Sequence, residues 1–152
     1  IVEILAEVQR MAMPQASRQG VDLRFDSSGI REVVVLADRV LLMQVFWNLI
    51  FNAMDALAVQ PLTNRVVVVA GTVCSNGTEM DIQVGDEGPG IPPERMNSIF
   101  EFFYSTKENG MGLGLAISRF IIEDHKGSLT VENRKSGGAC FHVKIPLCEN
   151  DT

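Results

Sequence analysis

Apolar residues recur in this chain with two periods, one helical and one strand-like, and their order outlines a fold. The opening "IVEILAEVQRMAMPQASRQG" has the spacing of an amphipathic helix and stops at Gly20, a residue suited to the left-handed turn that ends helices. "VDLRFD" then alternates like a strand, and "REVVVLAD" reads as a second. A long helix is expected from near Asp38, with Leu41, Leu42, Val45, Leu49, Ala53 and Leu57 returning to related faces. Phe46, Trp47, Ile50, Phe51 and Met54 make its circumference almost wholly apolar. "RVVVVAGTV" and "EMDIQVGD" are further strand-like runs, and Asn76-Gly77 between them is a strong hairpin signal. An irregular stretch follows, "EGPGIPPERMNSIFEFFYSTKENG"; loops that long inside a compact domain are uncommon and usually functional. "LGLAISRFIIEDHKG" predicts an amphipathic helix stopped by Gly127, and "SLTVENR" and "GACFHVKIP" a strand pair joined across "KSGG". The sum is α+β, with helices on one face of a mixed, mostly antiparallel sheet.

The most apolar of these helices carries one polar stripe. Gln44, Asn48, Asn52 and Asp55 follow one another at spacings of four, four and three, which places them on one narrow line. A carboxamide buried without partners costs about 1–3 kcal/mol, so the line must face water or something polar. A solvent-facing seam and a binding surface both satisfy that requirement. Two glycine-bearing stretches raise the same choice. In "VGDEGPGIP", Asp86 ends an apolar strand and is followed by Gly88 and Gly90. Its carboxylate can accept from an exocyclic amine while the glycines let backbone approach a planar ligand; a local turn cap is the alternative. In "NGMGLGLAIS", Gly110, Gly112 and Gly114 run into a helix whose free N–H groups suit a phosphate. The strand that a dinucleotide-binding turn needs before its glycines is missing, as is a Walker-type Gly-Lys-Ser/Thr ending. This stretch is therefore a phosphate loop of another kind, or a flexible linker.

The 152 residues suffice for one domain spanning positions 1–152. The chain is 46% hydrophobic, with a mean hydropathy of +0.14, as a packed core requires. No uninterrupted apolar run reaches the roughly 20 residues of a membrane span, and no basic signal segment opens the chain. It begins with Ile inside a helix-like stretch, as expected of a piece of a longer protein. Cys74, Cys140 and Cys148 form no close pair and leave one unpaired in any disulfide scheme, which favours a reducing compartment and argues against zinc. His125 and His142 stand apart and read as structural. The net charge of −6 argues against a nucleic-acid surface but is compatible with one nucleotide held by backbone N–H groups and a metal ion.

Taken in order, these stretches resemble the Bergerat-fold ATPase and kinase superfamily, which includes gyrase, the 90-kilodalton heat-shock chaperone and sensor histidine kinases. The likeness to histidine kinases covers essentially the whole chain. "NLIFNAMDAL" resembles their N box, "GDEGPGIP" their G1 box, "IFEFFYSTK" their F box and "GMGLGLAIS" their G2 box. The resemblance implies a two-layer α/β sandwich of about three helices on about five strands, with a long ATP lid. It implies ATP and Mg²⁺ as ligands, with Asn52 holding the metal and Asn48 beside it, contacting metal-bound water or a phosphate oxygen. Asp86 would receive the adenine amine, with Gly88 and Gly90 along the base and Ile91, Phe103 and Asp55 around the nucleotide. Gly110, Gly112, Leu113 and Gly114 would offer N–H groups to the phosphates. Lys107 would be a phosphate partner or a solvated surface lysine, and Phe100, Phe103 and Tyr104 would pin the lid. The sequence departs from the pattern at Phe102, where the F box usually has proline, and at Ala139, where a hydroxyl residue is often found near the base-binding Asp.

The hydrolysing branches of the superfamily carry a Glu general base where this chain has Asn48, which favours transfer over hydrolysis. The implied acceptor is a His on a separate dimerisation domain, followed by relay to the receiver domain of a response regulator. Neither His125 nor His142 fits the acceptor motif, so that region is expected outside this chain. The parent would be a homodimer with this domain in the cytoplasm, membrane-anchored or not, and the fragment a monomer. A Bergerat-fold protein-serine kinase and a nucleotide-binding module without transfer activity are the alternatives.

Overall fold

The computed structural model describes residues 1–105 and 112–148. Strands β1 (Asp22–Asp26), β2 (Val66–Val73), β3 (Glu79–Asp86), β4 (Ser128–Asn133) and β5 (Ala139–Pro146) form one sheet in the order β1-β2-β3-β5-β4. β1 runs parallel to β2, with Asp22 opposite Val66, and every other pairing is antiparallel. Alternation along the strands sends Leu23, Val67, Val69, Ile82, Val84, Leu129, Val143 and Ile145 to one face, where all are buried. Helices α1 (Val2–Arg18), α2 (Arg39–Ala56) and α3 (Gly114–Asp124) close over that face, so the expected two-layer α+β arrangement is the observed one.

Local chemistry fixes each helix end. Gly20 takes φ +65° just beyond α1, and Val21 N–H bonds Ala16 O at 2.8 Å, closing a Schellman turn. Asp38 caps α2 by accepting from Leu41 N–H at 3.0 Å. Arg39 pairs with Glu7 of α1, and Arg65 donates to Gln19 O (2.8 Å), Gln60 O (3.0 Å) and Ala58 O (3.1 Å), which holds the segment after α2 against the end of α1. α2 itself is the core helix: Leu42, Phe46, Leu49, Ile50 and Met54 are fully buried. Residues 39–59 do have the length and composition of a membrane span, contrary to the expectation from uninterrupted runs, since they carry few charges without being wholly apolar. Here that apolarity serves the core.

Three expectations are corrected. Residues 31–38 alternate in burial, with Val33, Val35 and Ala37 inward and Val34 and Leu36 out, yet they form no strand. β1 already pairs with β2, and among the described residues the segment pairs with no strand; it is held by isolated bonds, such as Cys148 N–H to Val34 O and Asp38 N–H to His125 Nε2. At the end of α3 the left-handed residue is Lys126 (φ +62°), not Gly127; Gly127 N–H completes the turn on Ile122 O at 2.9 Å. Among its described residues, the irregular stretch after β3 contains two short 3₁₀ turns, Pro93–Arg95 and Ser98–Phe100, the second anchored by buried Ile99.

The open face of the sheet carries a polar cluster that makes stability depend on pH. His142 Nδ1 lies 2.8 Å from Asp81 Oδ2 and its Nε2 lies 3.1 Å from Glu132 Oε1. Burial works to lower the imidazole pKa, but the bonds to both carboxylates outweigh it and the net direction is upward from 6.5. A raised folded-state pKa contributes stability that is complete below the unfolded value and is lost as pH rises through the folded value. The melting temperature should therefore fall from pH 6 toward pH 8 more steeply in the native chain than in His142→Gln. Parallel curves for the two proteins would remove the cluster from the account.

Candidate functional site

Where α2, the C-terminal end of β3 and the start of α3 meet, a cleft of about 1220 Å³ opens. Asn48, Asn52 and Asp55 line it from α2, Asp86 from β3, Gly90, Ile91 and Arg95 from the following segment, and Gly112, Leu113 and Gly114 from the start of α3. Asn133 and Ala139 close the far side from β4 and β5. The polar stripe and both glycine stretches thus face one space. Gln44 does not: it is exposed outside the cleft, so the stripe faces this space only from Asn48 onward.

Asp86 is 3% exposed at the floor of the cleft. Its Oδ1 accepts from Gly88 N–H at 2.8 Å and, at 3.4 Å, from Ala139 N–H. Among the described residues no donor reaches Oδ2, which leaves that oxygen for a ligand. Burial raises the carboxyl pKa, while the two N–H groups and Arg134 oppose the shift. A buried carboxylate oxygen that no described donor reaches can accept from an N–H or O–H group of a ligand. Gly88 stands behind this carboxylate and does not line the cleft, so its contribution is the N–H that orients Asp86. Ala139 supplies a backbone donor where a hydroxyl residue is often found.

On the opposite wall, Asn48 Nδ2 donates to Ser118 Oγ of α3 at 3.1 Å, which leaves Oδ1 as the atom Asn48 can offer. Gly114 is needed for this approach, because a Cβ there would lie 2.5 Å from Asn48 Oδ1. Gly112 takes φ +68°, and a Cβ on it would collide with the backbone of Phe103 and Tyr104. Its carbonyl accepts from Phe103 N–H at 2.9 Å. Asn133 holds the backbone of Ile91 from both sides, accepting from its N–H at 2.8 Å and donating to its carbonyl at 2.7 Å. The Ile91 N–H is thereby taken, and the Ile91 side chain lines the cleft.

Phe103 was expected at the nucleotide and as an anchor of the lid, but its side chain is 76% exposed and outside the cleft. Its backbone is left-handed (φ +65°). Phe100 does anchor the segment, edge-on to Phe141 at 6.3 Å with the Arg119 guanidinium 5.1 Å above its ring. Tyr104 lines the cleft. Lys107 and Gly110 lie outside the described residues. Sequence reasoning missed Asn133, Arg95 and Ser118. Only Ser118 had a signal, its spacing of four from Gly114 on the same helix.

Residues 37–149 match the family model described as histidine kinase-, DNA gyrase B-, and HSP90-like ATPase. The chain belongs to this family. It is the catalytic, ATP-binding domain type found in two-component sensor histidine kinases. It is 36% identical over 149 residues to the sensor protein FixL of Bradyrhizobium diazoefficiens, covering 98% of this chain and 29% of FixL. It is 41% identical over 145 residues to the C4-dicarboxylate transport sensor protein DctS of Rhodobacter capsulatus, covering 95% of this chain and 22% of DctS. The chain thus spans less than a third of the length of these relatives. The catalytic domain of histidine kinase ThkA superposes with a TM-score of 0.82 at 33% identity, covering 96% of this chain and 91% of that one. ThkA in complex with the response regulator protein TrrA superposes with a TM-score of 0.80 at 29% identity, over 100% of this chain and 42% of ThkA.

Among the described residues no group of three or more His, Cys, Asp or Glu could hold a metal. The donor set nonetheless fits Mg²⁺ accompanying a nucleotide, because that ion keeps several waters and takes few protein oxygens beside those of the phosphates. Asn48 and Asn52 present amide groups one helical turn apart in the cleft.

Proposed function

We propose that this domain binds ATP with Mg²⁺ and passes the γ-phosphoryl group to a His on a separate helical dimerisation domain of its parent protein, for relay to an Asp of a response regulator. The observation that carries this reading is the pairing of Asp86, buried with no donor to Oδ2 among the described residues, with the Asn48–Asn52 amides across one cleft. Asp86 Oδ2 would take the adenine amine and fix the base. Asn52 Oδ1 would hold Mg²⁺, with Asn48 Oδ1 on a metal-bound water or a phosphate oxygen. The ion, when bound, neutralises charge on the phosphate oxygens. The N–H groups of Gly112, Leu113 and Gly114 and the positive end of α3 would face the same anion, and Lys107 would add a charge from the lid. Asn48 cannot take a proton from water at neutral pH, so water is a poor acceptor and a placed imidazole a better one. The response-regulator complex of ThkA supports the relay. The same reading places the domain in the cytoplasm as part of a homodimeric parent.

The metal assignment has its own test. Asn52→Ala should weaken ATP binding in the presence of Mg²⁺ by about tenfold or more, the loss of one charge-assisted contact. Titration calorimetry with a chelator present should give nearly native affinity. Equal losses under both conditions would make Asn52 a packing residue.

A further inference from the structure

α2 carries the Asn pair and α3 begins at the phosphate-facing glycines, so their relative position sets the geometry of the site. Near the cleft they are joined by Asn48 Nδ2 to Ser118 Oγ. At the far end, outside the cleft, they are joined a second time. His125, the residue capping α3, has Nδ1 2.7 Å from Ile121 O, so this nitrogen carries the proton and donates. That tautomer leaves Nε2 as an acceptor, and it lies 2.9 Å from the backbone N–H of Asp38, the N-cap of α2. His125 lies seven positions beyond Ser118, and Asn48 ten positions beyond Asp38. At 1.5 Å per residue the two ties stand about 10–15 Å apart. Two ties at that spacing fix the angle between helices, whereas one leaves it to apolar packing, which tolerates several arrangements.

We propose that His125 is a positioning residue for the metal-dependent part of nucleotide binding: its Nε2 bond to Asp38 N–H sets the register between the Asn48–Asn52 stripe and the glycine start of α3. The adenine pocket does not depend on this tie, because Asp86 is held by Gly88 and Ala139. The inference rests on the proposed metal role of the Asn pair. Its test uses the whole chain and two variants that divide the imidazole's two bonds. In His125→Asn the amide nitrogen can replace Nδ1 on Ile121 O but nothing reaches Asp38. In His125→Gln the longer side chain places an oxygen near the Nε2 position.

ATP affinity is measured by calorimetry with Mg²⁺ and again with chelator. His125→Asn should lose about three- to tenfold in affinity with Mg²⁺, the range of one neutral hydrogen bond, and bind as the native chain does with chelator. His125→Gln should recover most of the Mg²⁺-dependent affinity. The inference is overturned if His125→Asn loses affinity equally under both conditions, binds in neither, or only melts earlier with both affinities native. It is also overturned if Gln gives no recovery. A native chain whose affinity ignores Mg²⁺ would instead retire the metal reading of the Asn pair itself.

Discussion

Asp86→Asn is expected to weaken ATP binding by about ten- to a hundredfold, the loss of a charge-assisted hydrogen bond worth about 1.5–3 kcal/mol. The substitution is nearly isosteric, so the packing around the 3%-exposed side chain is kept. Gly88 N–H requires an acceptor at the Oδ1 position. The new amide must therefore keep its oxygen there and turn its NH₂ toward the cleft, where the adenine amine also donates. Two donors would then face each other in a buried site, which puts the loss toward the upper end of that range. Guanine, which presents an acceptor at the equivalent ring position, should lose less. Burial raises the pKa of Asp86, so native affinity should also begin to fall on acidification at a higher pH than an ordinary carboxylate would give. Calorimetry on the native and variant chains reads all three effects. Unchanged ATP affinity in Asp86→Asn would remove Asp86 from the adenine site.

Gly114→Ala should reduce phosphoryl transfer by about a hundredfold, the loss typical of a misplacement near 1 Å. Helix propensity alone predicts the opposite tendency, since Ala is favoured over Gly by up to about 1 kcal/mol inside helices. At this position, however, the added Cβ would lie 2.5 Å from Asn48 Oδ1 and 2.9 Å from its Nδ2. Asn48 must swing off Ser118, or the start of α3 must retreat from the glycine-lined edge of the cleft. Overpacking costs about 1–3 kcal/mol, partly offset by the propensity gain, so the melting temperature should change little compared with the rate. Native transfer rates in Gly114→Ala would show that the close approach of α2 and α3 has no functional weight.

Much of this was legible in the sequence because it is local. The stripe on α2 follows from residue spacing, the Asn76–Gly77 hairpin from turn chemistry, and the end of α1 from Gly20. What could not be read depended on partners distant in sequence. Residues 31–38 alternate as a strand should, but whether a strand forms depends on a free neighbouring edge, and β1 holds that edge of β2. Gly127 looked like the helix stop; Lys126 takes the left-handed angle, and a Cβ on Gly127 would collide with Lys144 O of β5. Phe103 is aromatic like its neighbours Phe100 and Tyr104, yet it is exposed outside the cleft on a left-handed backbone that its residue type does not announce. Asn133 is an ordinary residue before a turn until Ile91 is brought against it across 42 positions of sequence.

The central claim, transfer of phosphoryl from ATP to a histidine outside this domain, is tested most directly by labelling. The chain is incubated with γ-labelled ATP and Mg²⁺, alone and with the parent's helical dimerisation hairpin supplied as a separate chain. Alone it should bind ATP, remain unlabelled and hydrolyse slowly, because Asn48 cannot activate water. With the hairpin, label should appear on the hairpin, slowly, since a separate chain forfeits the roughly millimolar effective concentration that tethering gives. That label should be lost in acid and kept in base, as a phosphoramidate is. Rapid ATP turnover by the chain alone, or a label on the hairpin that survives acid, would contradict the account.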